Sequence, residues 1–527
     1  MEIKKYLLIF FLFLLTIPII EAEKKQIPIG DDSVSLYKKP NAMKYFIAES
    51  SPIYILSDTD FILYGFSGNG STNSPFLIQN LEIITEDDFG ILIANTTLNF
   101  RISDCIVSAN IMSIYLYNNS GVFSSITNNH CSNSNIYGMH ILLCPNITIS
   151  NNTCANTEAG IGVFFSNYSK ITSNICYDNE NGIIGGGSFG NIINENSCLY
   201  NLEYGIYFSY SLEINILNNY CTNSQNGICL YDVDHSIFFS NTVENSGSGL
   251  KVTFSEYCEI TENMLMSNDY GLDCINSRDL WISKNVCFNC EYGIWIDDNL
   301  FSLIDYNKCN NNTLSGIYLS NCGTCIVQRN ECNYNIINGI YVKYHEHSDR
   351  KDNLIIGNIF NGNLNGINLH ISNAFLISNN TCSQNRYGIK LSESSYNEII
   401  ENKLQMNKEY GVYISDFTST WNKIYSNYFI CNNLEGTDTG SSQAFDNCYN
   451  NRWYNYDTNT GNYWTDFSGE GEYQIDGKYN TTDPYPFVYN YDCCNIDETT
   501  SQSILGMCGF LLLFIGLTSI ANKNKKQ

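Results

Sequence analysis

The chain has 527 residues and a net charge of −26, from 53 acidic against 27 basic residues, so a phosphate backbone is repelled and nucleic acid is excluded as a partner. Length alone would suggest about three or four domains, and 22 cysteines would ordinarily suggest a disulfide framework in an exported chain. A repeat running through most of the sequence overrides the first of these priors and reshapes the second.

At the start, Lys4 and Lys5 precede an apolar run from Tyr6 to Ile20, with Glu21 and Ala22 after it. This is the pattern of a secretory signal peptide over residues 1–22; an uncleaved N-terminal anchor is the alternative. Residues 23–59 show no repeat and are expected to form a lead-in and a strand that caps the first coil, because an uncapped solenoid exposes a sheet end. From Asp60 to Ile83 the turn residues Gly65, Gly68, Gly70 and Pro75 lead into a first stacking strand at Phe76.

Glycines then recur at 138, 160, 182, 205, 227, 249, 271, 293, 316, 339, 366, 388 and 411, each step being 22 or 23 residues except the 27 between Gly339 and Gly366. Counted from each glycine, positions +1, +3 and +11 are apolar, as in Ile161, Val163 and Ile171. Position +14 is asparagine at Asn152, Asn174, Asn196, Asn219, Asn241, Asn263, Asn285, Asn307, Asn330, Asn380 and Asn402, and insertions displace it to Asn358 and Asn427 in the other two turns. A helical repeat would place apolar residues at i, i+3, i+4 and i+7; here they alternate in short runs of Ile, Val, Phe and Tyr, which is strand patterning. The Leu-x-x-Leu-x-Leu signature of leucine-rich repeats is missing. The expected fold is all-β: a right-handed parallel β-helix over residues 60–435. Two looser turns near Gly90 and Ser113 bring it to about fifteen rungs stacked about 4.8 Å apart. Asparagine is expected to adopt left-handed angles at the corner and to hydrogen-bond to its counterparts one turn away.

Residues 436–500 are expected to close the helix. They hold Asn451-Arg-Trp453, then Gly461-Asn462-Tyr463-Trp464-x-Asp466, then Asp483-Pro-Tyr485-Pro486. With the Gly-rich entry segment and the Gly-Ile-x-Leu rungs, these motifs resemble the NosD-like secreted β-helix proteins. The resemblance implies copper delivery to an exported reductase, or a fold shared with carbohydrate-binding proteins and sugar hydrolases. The Asp/Gly-rich loop such proteins often carry is reduced here to SGEGEYQIDGK, which removes the basis for a metal site there. Residues 504–521 form an apolar run followed by Lys523, Lys525 and Lys526, the pattern of a single transmembrane helix with a basic tail at 522–527 inside the cell. The β-helix is therefore expected to be extracellular, anchored to the cell membrane. Sequons such as Asn95-Thr-Thr fit an exported chain.

Three features could carry chemistry. Cysteines occupy position +16 at Cys154, Cys176, Cys198, Cys221, Cys287, Cys309, Cys332 and Cys382, where Val243, Leu265 and Leu404 stand in other turns, so a column of free buried thiols is expected. The copper(I) alternative for that column lacks an entry path. Cys493 or Cys494 could bridge to Cys431 or Cys448. The one long insertion, residues 343–353, carries His345 and His347, which with His370 could converge as zinc or copper(II) ligands; a solvated loop is the bland reading. No cofactor is expected otherwise. Finally, position +2 points outward and reads Trp295, Tyr318 and Tyr341 on successive turns, rings on which a sugar chain could stack, although aromatics also simply favour sheets. The function expected from these features is non-catalytic binding of carbohydrate or another envelope component, acidic polymers being disfavoured by the charge. The alternatives are a polysaccharide lyase, hydrolase or epimerase near the insertion and a NosD-like copper-delivery accessory.

Overall fold

The computed structural model describes residues 48–121, 123–345, 353–434, 436, 440–491 and 493. The N-terminal apolar segment, the centre of the 343–353 insertion and the C-terminal apolar segment lie outside the described residues. No helix among the described residues is long and apolar enough to cross a membrane.

The chain is a parallel β-solenoid with three sheets running along its axis. The first, here the glycine sheet, runs from Ile53–Ile55 to Ala444–Asp446 and contains the strands that open at the rung glycines, such as Tyr204–Leu212 and Tyr292–Asp297. The second, the isoleucine sheet, has 16 strands from Phe76–Gln79 to Lys423–Tyr425 and carries the +11 residues. The third, the cysteine sheet, has 12 strands from Ala48–Glu49 to Lys308–Asn310 and six more from Ile359–Asn361 to Phe487–Val488. Single bridges through Glu331 join its two parts. The register is strict: Ile183, Ile206, Ile228 and Leu250 are direct partners, as are Cys154, Cys176, Cys198 and Cys221.

About 18 turns result, more than the fifteen the glycine period implies. The extra turns lie at the ends, where Ile53–Ile55 and Ala444–Asp446 extend the glycine sheet without an opening glycine, and Tyr463–Trp464 and Phe487–Val488 extend the cysteine sheet. Their sequences leave the period because closing residues replace repeating ones.

The rung glycines owe their identity to space rather than to backbone freedom, since none of them has a positive φ. A Cβ on Gly160 would lie 2.7 Å from the carbonyl oxygen of Gly182 and 3.0 Å from the Cys176 sulfur. Glycine thus lets the strand pass close over the cysteine of the neighbouring turn.

The asparagine ladder differs from expectation in one respect. The +14 asparagines are not left-handed; the residue before each of them is, as at Asn151, Ser173, Glu195 and Asn218. That preceding corner turns the chain, which frees the asparagine to point inward. Asn241 shows the pattern: its Oδ1 accepts from the backbone N–H and the Nδ2 of Asn219 at 2.9 and 3.0 Å, and its Nδ2 donates to Asn263 Oδ1 and Ile216 O. The ladder is unbroken from Asn129 through Asn358 and Asn427 to Asn462. Each rung therefore satisfies backbone groups at the corner that burial would otherwise leave unpaired.

The interior is a single apolar column of inward residues from all three sheets. The expected thiols sit in it: Cys154, Cys176, Cys198, Cys221, Cys287, Cys309, Cys332 and Cys382 are all fully buried and free. Among the described residues one disulfide is present, Cys431 to Cys493, holding the end of the described chain against the last turns.

Candidate functional site

Positions −1 and +2 flank each rung glycine, and the buried residues between them turn both side chains to the same outer side. Rings at those two positions therefore touch: Tyr204 with Tyr207 at 4.7 Å, Tyr292 with Trp295 at 4.7 Å, Tyr137 with His140 at 4.4 Å. Turn-to-turn register extends each contact along the axis. In the middle of the sheet Tyr270, Tyr292, Trp295, Tyr318 and Tyr341 form one continuous aromatic cluster.

All three ring residues expected from the sequence are thus brought together. Their presentation differs from a row of open faces. Trp295 and Tyr318 stack on each other at 3.8 Å and 4°, Tyr341 meets Tyr318 edge-on at 5.4 Å, and Tyr318 is only 8% exposed. Strand spacing is close to ring-stacking distance, so aromatics on adjacent turns cover one another. Trp295 and Tyr341 remain half-buried, and burial pushes the Tyr318 hydroxyl up to about 12.

Charge adjoins the cluster on the same line. Asp273 is the register neighbour of Trp295 on one side and of Lys251 on the other, and Lys251 Nζ lies 3.2 Å from its carboxylate. Ser248 Oγ donates to the same oxygen at 3.3 Å. Asp273 is almost wholly buried, and burial raises its carboxyl above the usual 3.8 despite Lys251. Farther along the line come Asn368, Lys390 and Tyr413. None of these polar members was legible beforehand, because a lone Asp or Lys at +2 carries no mark distinguishing it from any outward strand residue.

The histidine set fares differently. His370 lies beside Lys343 in the register and its Nδ1 is 3.1 Å from Ser392 Oγ, whereas the backbone of His345 pairs with Ser372, two positions further on. His347 lies outside the described residues. Another histidine, His140, is sandwiched between Tyr115 and Tyr137 on the outer line, and burial lowers it to about 4.

Solenoid architecture and an outward line of aromatic and charged side chains define a β-helix repeat protein. The chain belongs to the NosD family, described as periplasmic copper-binding protein, whose pattern matches residues 49–226, 140–270, 189–361 and 269–469. No curated protein sequence matches it. Among solved structures, it is similar to the A-module of mannuronan C-5 epimerase AlgE4 from Azotobacter vinelandii, at 11% identity over 66% of this chain and 90% of that one, with a TM-score of 0.33. The periplasmic alginate epimerase AlgG gives 16% identity over 71% of this chain and 84% of that one, with a TM-score of 0.35. Tailspike protein 3 of bacteriophage CBA120 gives 10%, 80%, 65% and 0.32 respectively.

The family description implies copper, and the described residues do not fit it. Among them, no three His, Cys, Asp or Glu side chains converge as metal ligands. The stacked thiols are sealed in the core, and burial raises those of Cys198, Cys309 and Cys382, opposing the thiolate a metal would need.

Proposed function

We propose that the chain is an exported envelope protein, anchored through residues 504–521, whose glycine sheet binds carbohydrate along its outer face without acting on it. The observation that supports this most is the continuous cluster of Tyr270, Tyr292, Trp295, Tyr318 and Tyr341 beside the Lys251–Asp273 pair. Aromatic edges, hydroxyls and a partly exposed charge pair in one line offer a saccharide apolar contact and directional hydrogen bonds together. The family's periplasmic description and the signal pattern at residues 1–22 agree with export.

The test is glycan-array binding by the full chain in detergent, compared with Trp295→Ala and Tyr341→Ala. These two residues are half-buried, so their loss removes contact surface without opening the core; Trp295→Ala also unstacks Tyr318, whereas Tyr341→Ala leaves the Trp295–Tyr318 stack in place. Binding weakened at least ~10-fold in both variants is expected, the scale of an aromatic contact. Unchanged binding would remove the proposal.

A second reading, processing of the bound polysaccharide, has one observation in its favour: the raised Asp273 carboxyl beside Lys251, a proton-accepting group next to a cation. New reducing or unsaturated ends, lost in Asp273→Asn, would establish it.

A further inference from the structure

Lys390 occupies the outer line that carries the aromatic cluster, in direct register from Tyr341 through Asn368 to Lys390 and on to Tyr413. Its surroundings differ from those of three other cations of the solenoid. Lys251 is paired with Asp273, Arg329 with Asp305 at 2.7 Å, and Arg386 with Glu409. Lys390 is half-buried, yet its ammonium has the Tyr387 ring centroid 5.9 Å from it, the Arg386 guanidinium in its field, and no ion pair with a carboxylate among the described residues. Glu409, the carboxylate of the next turn, is taken by Arg386 and by the Tyr387 hydroxyl at 2.7 Å. Burial first, and Arg386 second, make Lys390 easier to deprotonate than usual, the signature of a cation held without its counter-charge.

The amides beside it are also incomplete. Asn365 and Asn368 both donate Nδ2 to Asn338 Oδ1, at 2.9 and 3.2 Å, and Asn338 donates in turn to Ser315 Oγ. The remaining polar atom of Asn365 and that of Asn368 are buried and have no partner. Reversing all three amides exchanges donors for acceptors along the chain but leaves the same two positions unsatisfied. Asn365 lies next to Tyr387 and Asn368 next to Lys390, so an unpaired cation and two half-satisfied amides share one place. An unpaired buried polar group is costly, and structures rarely keep several together without something to complete them.

We infer that the turns carrying Asn365, Asn368 and Lys390 form the subsite for an acidic sugar residue, its carboxylate facing Lys390 and its hydroxyls facing the amides, with Tyr341 and Tyr413 on either side along the axis. This rests on the carbohydrate reading and narrows it to uronate-type saccharides. The overall charge of −26 argues against an anionic ligand only at long range. Charges beyond a Debye length of about 8 Å are screened, and the charge that acts on Lys390 is that of Arg386, already engaged with Glu409.

The test uses the full chain in detergent and short oligomers of galacturonate, mannuronate and glucuronate, each as the free acid and as its uncharged methyl ester. At least one acid oligomer should bind ~10-fold or more tightly than its ester, Lys390→Met should abolish that preference, and Lys390→Arg should keep most of it. A preference that survives Lys390→Met, or equal binding of acid and ester, would overturn the inference while leaving the carbohydrate reading intact. Failure of every acid, every ester and the neutral array would overturn both. Circular dichroism of the variants distinguishes loss of binding from loss of fold.

Discussion

Asn462 ends the asparagine ladder on Asp483: its backbone N–H and its Nδ2 both donate to the same carboxylate oxygen, at 2.7 and 3.2 Å. Trp464 Nε1 donates to that oxygen at 3.0 Å. An internal ladder position must accept from one turn and donate to the next, which an amide can do. The last position has only to accept, so a carboxylate suits it. Asp483→Ala should leave two buried donors, the Asn462 backbone N–H and Trp464 Nε1, without partners, while Asn462 Nδ2 keeps Ile424 O and Trp453 O, and lower stability by about 3 kcal/mol. Amide exchange should show the lost protection confined to the last turns, because stability in a solenoid is built from nearest neighbours.

Within the ladder, Asn241→Asp is expected to be as damaging as Asn241→Ala, by about 3 kcal/mol. The carboxylate could still accept from Asn219 but would face Asn263 Oδ1 and Ile216 O with no hydrogen to give. Urea unfolding of the two variants checks this; a well-tolerated Asn241→Asp would contradict the donor role.

Core thiols and rung glycines should respond in opposite ways. Cys198→Val is expected to cost less than ~1.5 kcal/mol, because Val243 and Leu265 already stand in the same column. Gly160→Ala, which forces a methyl group against Gly182 and Cys176, should cost about 1–3 kcal/mol. Thermal denaturation of both variants provides the comparison, and alkylation of the native protein should leave the column cysteines unmodified.

The Asp273 carboxyl should make stability depend on pH in a definite direction. Its folded pKa is raised above 3.8 by burial, so the folded chain holds that proton more tightly than the unfolded one. The corresponding stability is fully present below 3.8 and is lost as pH rises through the raised value. Urea midpoints of the wild type and Asp273→Asn at neutral pH and near pH 4 should therefore shift in favour of the wild type on acidification. A difference independent of pH would contradict the shift.

Much of the scaffold was legible because one residue type filled one structural place, as with asparagine at +14 and cysteine at +16. A second amide column was missed. Asn312, Asn335, Asn363, Asn385, Asn407 and Asn432 hydrogen-bond turn to turn, ending on Gln443. Its trace was present as asparagine pairs five apart, such as Asn307 with Asn312, but Thr157, Ser246 and Cys290 hold the place in other turns. The left-handed corners leave no signature, since Tyr200, Glu262 and Leu143 adopt them as readily as Asn151. At the outer face, the sequence reveals which rings share a line. Whether their faces are open or spent on each other depends on the neighbouring turns, which is why the stacking of Trp295 on Tyr318 emerges only from the structure.

Hydroxyl-radical footprinting of the full chain with and without a bound oligosaccharide tests the central claim most directly, because the glycine and isoleucine sheets each carry an outward tryptophan. Trp295 lies on the outer glycine face and Trp281 is 47% exposed on the isoleucine sheet. Protection of Trp295 and Tyr341 with Trp281 unchanged is the expected result. Protection of Trp281 with Trp295 and Tyr341 unchanged would place the ligand on a different sheet and contradict the account.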